Sequence, residues 1–366
     1  MKTIIMKCSF LLLLLPVLGF AGTKGEVAEK KISRQFTTQS NGYLDISNRY
    51  GNIDVAIGAS NQIKIDVVIT AEASSLKKAQ EAVDRINIAF EESTNRVAAR
   101  TEVENNSGWN SWFDTGNTNI KINYTVLVPA DIYLSLANKY GNIYVETTSR
   151  DLRIDLDYGD IRLGNINAKL NLDMSYSDGA ISGIKDGALD LSYSDLEMED
   201  AEALQIDMKY SDLVMGSANR LKVVSSYCDL QGIDVDEVSY SGKYDELTFD
   251  RVKIIEAESA YTGIQVSGLS TKGRFDMRYG ELSVGNIGKA FTRLDINTSY
   301  TGVSLEFDEG ASFSIDALNN YCDIAHHGLK VTEDIQKAGS TTLKASKGTG
   351  GGIVMVRMNY GELSIE

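Results

Sequence analysis

Histidine is nearly missing from this sequence: 366 residues hold two, His326 and His327, and they are adjacent. Neighbouring histidines cannot make a two-histidine metal site at helical spacing, and no Ser/His/Asp series stands out around them. Cysteine occurs three times, as Cys8, Cys228 and Cys322, too few for a disulfide framework. Positive charge is also in deficit, with 36 Lys and Arg against 51 Asp and Glu and a net charge of −15. That balance disfavours nucleic acid and anionic lipid as partners, because both are held by Lys and Arg.

Long apolar runs are confined to one place. Met1 to Lys7 carries two lysines, Phe10 to Phe20 is apolar apart from Pro16 and Gly19, and Gly19-Phe20-Ala21 offers small residues for cleavage. We read residues 1–21 as a signal peptide. The run is too short for a permanent membrane helix, and no later stretch approaches the roughly 20 apolar residues of a span. Cys8 precedes the hydrophobic segment, so it is not placed as a lipid-anchor cysteine. The expectation is an exported chain without a transmembrane span or lipid anchor, in the periplasm, on the outer surface or secreted. Removing Lys2 and Lys7 takes the charge from −15 to −17.

What the sequence has in abundance is a repeat. Tyr140, Tyr158, Tyr176, Tyr193, Tyr210, Tyr227, Tyr244, Tyr261, Tyr279, Tyr300 and Tyr321 follow one another at steps of 17, 18 or 21 residues. Tyr50 and Tyr360 open the same motif, so 13 of the 18 tyrosines are in register. Within a unit the pattern alternates, as in Leu204-Gln205-Ile206-Asp207-Met208-Lys209-Tyr210. It turns at Ser211-Asp212 and resumes at Leu213-Val214-Met215, giving two short strands per unit. A 17-residue unit cannot bury its own apolar face, so copies must stack at the strand spacing of roughly 4.8 Å. The predicted fold is an all-β, single-stranded β-solenoid (β-helix) of 17–21-residue coils over residues 136–366.

The ladder tyrosines share parity with the inward residues, which predicts buried rings with the hydroxyl reaching a turn. The same register places Cys228 and Cys322 at one position five coils apart, about 24 Å along the axis, beyond disulfide reach. Both then read as substitutes for Ser or Gly in the turn.

Residues 22–135 form an N-terminal β-rich cap region. It holds a first coil around Leu44 to Val55, strands at Ile63 to Ile69, Ile86 to Phe90, Arg96 to Thr101 and Asn119 to Val128, and a helix near 73–86. Such a unit shields the strand edges that an open solenoid end exposes. A loop at 105–118 carries Trp109, Trp112 and Phe113, which read either as a stacking site for a sugar or partner or as packing folded over the cap. A second insertion, Thr332 to Gly352, is rich in Gly and Lys and reads as a mobile loop.

Two residues after the tyrosine lie Asp160, Asp178, Asp195, Asp212 and Asp229, continued by Glu246, Glu281, Asp323 and Glu362. Stacked in register they make an acidic column. Like charges about 5 Å apart repel by nearly 1 kcal/mol each even in water, so the column splays, raises its pKa values or collects cations. Calcium is the ion that suits carboxylates; solvated turn aspartates are the plainer reading.

The order of these parts resembles a bacterial family of candidate adhesins built from β-strand repeats, a domain of unknown function in exported proteins. The resemblance rests on the early Asn48-Arg49-Tyr50-Gly51-Asn52-Ile53, a helix insertion, the strand Tyr124-Thr125-Val126-Leu127-Val128-Pro129, and Gly-Asp or Gly-Asn turns. Many coils depart from it with Ser-Asp or Cys-Asp. It implies a cell-surface or periplasmic binding or scaffold role. The weakness of enzymatic signals makes a non-enzymatic protein the expectation, with an envelope or surface protein or a glycan as partner. The alternative is a carbohydrate-active enzyme, a polysaccharide lyase or hydrolase on a β-helix. A local cluster of carboxylates would mark the enzyme; here the carboxylates recur with the period of the fold.

Overall fold

A computed structural model describes residues 25–58, 61–104 and 118–366. The expected signal peptide at 1–21 and the aromatics Trp109, Trp112 and Phe113 lie outside the described residues.

The chain opens with β1 (Glu26–Thr37), β2 (Tyr43–Arg49), β3 (Ile53–Gly58), β4 (Gln62–Ala73), α1 (Leu76–Asp84), β5 (Ile86–Ser93), β6 (Arg96–Val103) and β7 (Thr118–Pro129). The first coil is β2, Tyr50 and β3. Its second layer is β8 (Tyr133–Lys139), Tyr140 and β9 (Ile143–Val145), parallel to it strand for strand. Both halves of the first coil are covered on the outer side. β6 and then β5 extend the β2 half, while β7, β4 and β1 extend the β3 half. Ser75 caps α1 by accepting the Lys78 N–H, and Ala79, Ala82 and Val83 bury the helix against β1 and β4. The helix is shorter at both ends than the predicted 73–86, because Ala73 still belongs to β4 and Ile86 already belongs to β5.

The regular stack follows: β10 (Leu152–Asp157), β11 (Asp160–Ser175), β12 (Asp178–Ser192), β13 (Asp195–Lys209), β14 (Asp212–Ser226), β15 (Asp229–Lys243), β16 (Glu246–Val266), β17 (Leu269–Ile287) and β18 (Arg293–Phe307). Each of β11 to β15 bends at mid-length, so one strand supplies the half after one tyrosine and the half before the next, whereas β16, β17 and β18 run on through Tyr261, Tyr279 and Tyr300. In β13 the inward residues are Leu196, Met198, Ala201, Leu204, Ile206 and Met208, and the alternation slips at the bend. Neighbours pair in parallel with the repeat register, Leu196 to Leu213 and Ile206 to Val223. Identical apolar positions therefore stack into one continuous core, which is what drives the fold.

The far end breaks chain order. β19 (Phe313–His326) is followed by β20 (Lys330–Lys337), β21 (Ser340–Lys347) and β22 (Gly352–Ile365). β22 lies between β18 and β19, parallel to both. β21 pairs antiparallel with β19 over Phe313–Asn320, and β20 pairs with β21. The segment at 332–352 is thus mostly an ordered hairpin and not the mobile loop its composition suggested. Its alternating Leu343 and Ala345 are buried, which composition alone does not register. The coil count changes as well: with β22 intercalated, Cys228 and Cys322 are six layers apart, about 29 Å at the strand spacing, and both are free thiols.

The ladder tyrosines do not bury their rings as parity predicts. All 13 repeat tyrosines have a left-handed backbone, with φ between 51° and 64°. That conformation breaks the alternation at the turn and swings the Cβ outward, so the rings stack on the outside instead of in the core. The residue after the tyrosine takes the inward place. Ser177, Ser194, Ser211, Cys228, Asp245, Thr262 and Thr301 are all buried. The Ser194 hydroxyl donates to the Ser192 carbonyl at 2.9 Å and accepts the Ser177 N–H at 3.2 Å, and the pattern repeats along the stack. Where glycine occupies this place, as at Gly141 and Gly361, a Cβ would collide with a carbonyl oxygen of the adjoining layer, Gly51 or Thr301.

Candidate binding surface

A left-handed non-glycine residue costs about 1–2 kcal/mol, so a ladder of 13 requires a compensating gain. The rings supply it. Successive tyrosines from Tyr50 through Tyr300, Tyr360 and Tyr321 stack with centroids 4.7–5.3 Å apart and planes within 17° of parallel. Each stacked pair contributes about 0.5–1.5 kcal/mol beyond area burial, the same size as the strain. From Tyr140 to the far end of the stack the ladder tyrosines remain 37–65% exposed. The stripe runs about 60 Å along the stack at this spacing.

Because each ring face is covered by the next ring, the stripe presents ring edges and hydroxyls. A sugar or flat ligand that needs a ring face has none along its length. Contacts must come from the hydroxyls, from the electropositive ring edges and from whatever flanks them.

Carboxylates flank them on both sides. On the half after the turn, Asp160, Asp178, Asp195, Asp212, Asp229 and Glu246 are direct register partners, one per layer, all exposed. Burial against the stack, with Asp195 and Asp229 on either side, pushes the Asp212 carboxyl above its usual range. Burial, Asp229 and Glu281 do the same to Glu246. The column therefore stands in register from Asp160 to Glu246, and two of its members are raised, one of the three outcomes open to stacked like charges.

A second row, absent from the sequence reading, borders the other side of the stripe. Asp155, Asp173, Asp190 and Asp207 are register partners on the half before the turn. Burial, followed by Asp155, Asp190 and Asp157, raises Asp173. The signal was in plain sight: Asp recurs three residues before Tyr158, Tyr176, Tyr193 and Tyr210.

The first row is interrupted at Gly263. There an open recess of about 750 Å³ lies between Glu246 and Glu281, edged by Tyr261 and Tyr279. Elsewhere the carboxylates stand in single file. Among the described residues no three His, Cys, Asp or Glu side chains converge to hold a metal ion.

Two further groups lie inside. Asp245 is a buried carboxylate in the inward place of its turn, accepting from the Tyr240 hydroxyl at 2.5 Å, the Ser225 hydroxyl at 2.8 Å and the Cys228 N–H at 2.8 Å. Burial, then Asp245, raises the Tyr240 phenol. Burial also lifts the Cys228 thiol to about 11 and raises Cys322, which makes both poor nucleophiles. Their Sγ atoms donate to the carbonyls of Ser226 and Asn320, as serine does in other coils.

Among the described residues no helix is long and apolar enough to cross a membrane. No curated protein matches the chain. It is similar to the solved structure of a candidate adhesin from Bacteroides fragilis, at 14% identity over 68% of this chain and 97% of that one, with a TM-score of 0.35. A candidate adhesin from Parabacteroides merdae is similar at 7% identity over 68% and 95%, with a TM-score of 0.34. A candidate lipid-binding protein from Parabacteroides distasonis is similar at 9% identity over 92% and 96%, with a TM-score of 0.24. These superpositions are too loose to carry weight, and the assignment rests on the family match. Residues 43–366, which take in every coil, match Toastrack DUF4097, and the chain belongs to this Toastrack family.

Proposed function

We propose that this protein is an exported, non-enzymatic, adhesin-like binding or scaffold protein of the cell envelope or surface, and that it engages its partner along the tyrosine edge. The observation that carries this reading is the uninterrupted stripe of exposed, face-stacked tyrosines, bordered on one side by carboxylates from Asp160 to Glu246 and on the other by a shorter row from Asp155 to Asp207. A rigid repeated surface of this kind suits an extended contact in which every layer contributes a little. The carboxylates recur once per layer, which is the pattern of a surface and differs from the local pair of an acid–base site. The negative rows favour a partner presenting positive charge, whether an envelope protein or a glycan bearing amines.

The test is binding of the labelled full-length protein to intact cells and to envelope fractions, with and without reversal of three adjacent charges (Asp178→Lys, Asp195→Lys, Asp212→Lys). Native protein is expected to bind in a salt-sensitive way, and the reversed protein to lose most of the signal while keeping its circular dichroism. Equal binding by both would remove the tyrosine edge as the contact surface.

A further inference from the structure

The strand order at the far end has a consequence for assembly. The chain places β18, moves outward by two layers to lay down β19, makes the β20–β21 hairpin, and only then returns with β22 to fill the layer between. Until β22 arrives, the facing edges of β18 and β19 lack partners. Twelve residues of β18, from Arg293 to Leu305, pair with β22 alone on that side. Unpaired parallel edges of this length are templates for any strand of matching pattern.

We propose that the layer between β18 and β19 is a strand-acceptor site, filled within the chain by β22 and equally able to take β22 from a second copy. The occupant is narrowly specified. Val354, Val356, Met358, Leu363 and Ile365 are buried, so the strand must be apolar at those places. Tyr360 stacks between Tyr300 and Tyr321 at 4.8 and 5.0 Å. Gly361 has no room for a side chain against the Thr301 carbonyl. Other Tyr-Gly strands of this protein meet part of that pattern, but they are laid down in chain order within the stack. β22 follows a glycine-rich connection, where Gly348, Gly350 and Gly351 have φ of 72°, 75° and 87°. Left-handed glycines in series make a hinge that can redirect the strand outward.

A swapped pair keeps every contact of the closed form and alters only the hinge, which is why exchange of identical elements is a low-cost route to dimers. The tethered strand competes at an effective concentration on the order of millimolar. Exchange is therefore expected after partial unfolding at high protein concentration and is slight at dilution.

The experiment uses register partners on the outer face, Ser304 and Ser364, which lie opposite each other on β18 and β22. Two full-length variants, Ser304→Cys and Ser364→Cys, are made with Cys228→Ser and Cys322→Ser, since serine already fills the same turn position at Ser177, Ser194 and Ser211. A third carries both new cysteines. Mixed copies of the two single variants are taken through mild denaturant, returned to buffer and oxidised. The expected product is a dimer bridged between residues 304 and 364, identified by peptide mass, whose share rises with protein concentration. The double variant at high dilution should close the same bridge within one chain. Absence of the 304–364 dimer while the double variant closes internally overturns the proposal. Failure of the double variant to close also overturns it, since β22 would not occupy that layer.

Discussion

The two ends of the stack solve one problem differently. At the first end, both halves of the coil formed by β2 and β3 are buried beneath added strands, and α1 packs over those. At the other end the hairpin shields only the half of β19 before Tyr321, and the half after it, Cys322–His326, pairs with β22 alone among the described residues. One end is closed by inserted strands that cover both halves of its coil, the other by a hairpin that covers one half. Because each layer touches only its neighbours, stability is close to a sum of local terms, and the second end should be the weaker. It also leaves Cys322 and Ile324 only partly buried.

The largest expected effect tests that contrast. Val356 is fully buried in β22 and Val83 is fully buried in α1. An Asp at either place is an unpaired buried charge, on the order of 4 kcal/mol. With Val356→Asp, hydrogen exchange is expected to lose protection in β18, β22 and β19 while β10 to β14 keep theirs. With Val83→Asp the loss should fall on β1 and β4 and stop before β8. Uniform loss across all layers in either variant would show that the stack melts as one unit and that the ends do not differ.

Much of this arrangement was legible beforehand. The steps between tyrosines reveal a solenoid because stacking demands a constant unit. The acidic column followed because parallel in-register pairing places equal positions side by side. The ring direction was not legible, since parity counts assume an extended backbone and the tyrosine is left-handed, a state rare outside glycine. Layer order at Tyr300, Tyr360 and Tyr321 was invisible for a different reason: a repeat motif states that a coil exists, not which coils it lies between. The row Asp155, Asp173, Asp190 and Asp207 was readable from its spacing to the tyrosines, but it lies before the turn, on strand positions where a lone aspartate passes for ordinary outward polarity.

The middle of the ladder and its end offer the next comparison. Tyr210 stacks on Tyr193 and Tyr227, whereas Tyr321 stacks only on Tyr360 among the described tyrosines. Tyr210→Ala loses two stacking contacts and keeps the left-handed strain, an expected cost of about 2–3 kcal/mol. Tyr321→Ala should cost about half as much. Tyr210→Gly relieves the strain and should recover about 1 kcal/mol relative to alanine, the reverse of the usual order inside a strand. Denaturant melts giving alanine equal to or better than glycine would show that the turn does not hold the left-handed form in solution.

Acidity should separate the cap from the stack. Asp173, Asp212 and Glu246 are raised mainly by burial and then by neighbouring carboxylates. Their protonation favours the folded state, so stability is gained as pH falls through their folded values and is complete below the ordinary 3.8 or 4.5. In the cap, hydrogen bonds from Lys64 and then Ser33 lower Asp66, and Ser40 lowers Asp131. Their contribution is present above 3.8 and lost as pH drops below it. Between pH 7 and about 4.5, exchange protection corrected for intrinsic rates should rise in β11 to β16 and stay level in β1 and β4. Acid loosening should then begin in the cap. A parallel decline in both regions would show that the carboxylate rows are relaxed by solvent.

Calcium is the smallest expected effect, because a single file of carboxylates is a poor cage. Calcium takes six to eight oxygens, and an ion lying between Asp195 and Asp212 receives at most a few from the protein, with water supplying the rest. A dissociation constant near the millimolar range of weak extracellular sites gives about 1 kcal/mol of stabilisation at several millimolar calcium, a rise in Tm of roughly 2 °C for a domain of this size. Asp178→Asn, Asp195→Asn and Asp212→Asn together remove both the repulsion and the ligands. That variant should begin with a higher Tm than the native protein in calcium-free buffer and show no further rise on titration. A native protein whose Tm does not move at millimolar calcium leaves the row as surface charge alone, and a triple variant that still responds places the ion elsewhere.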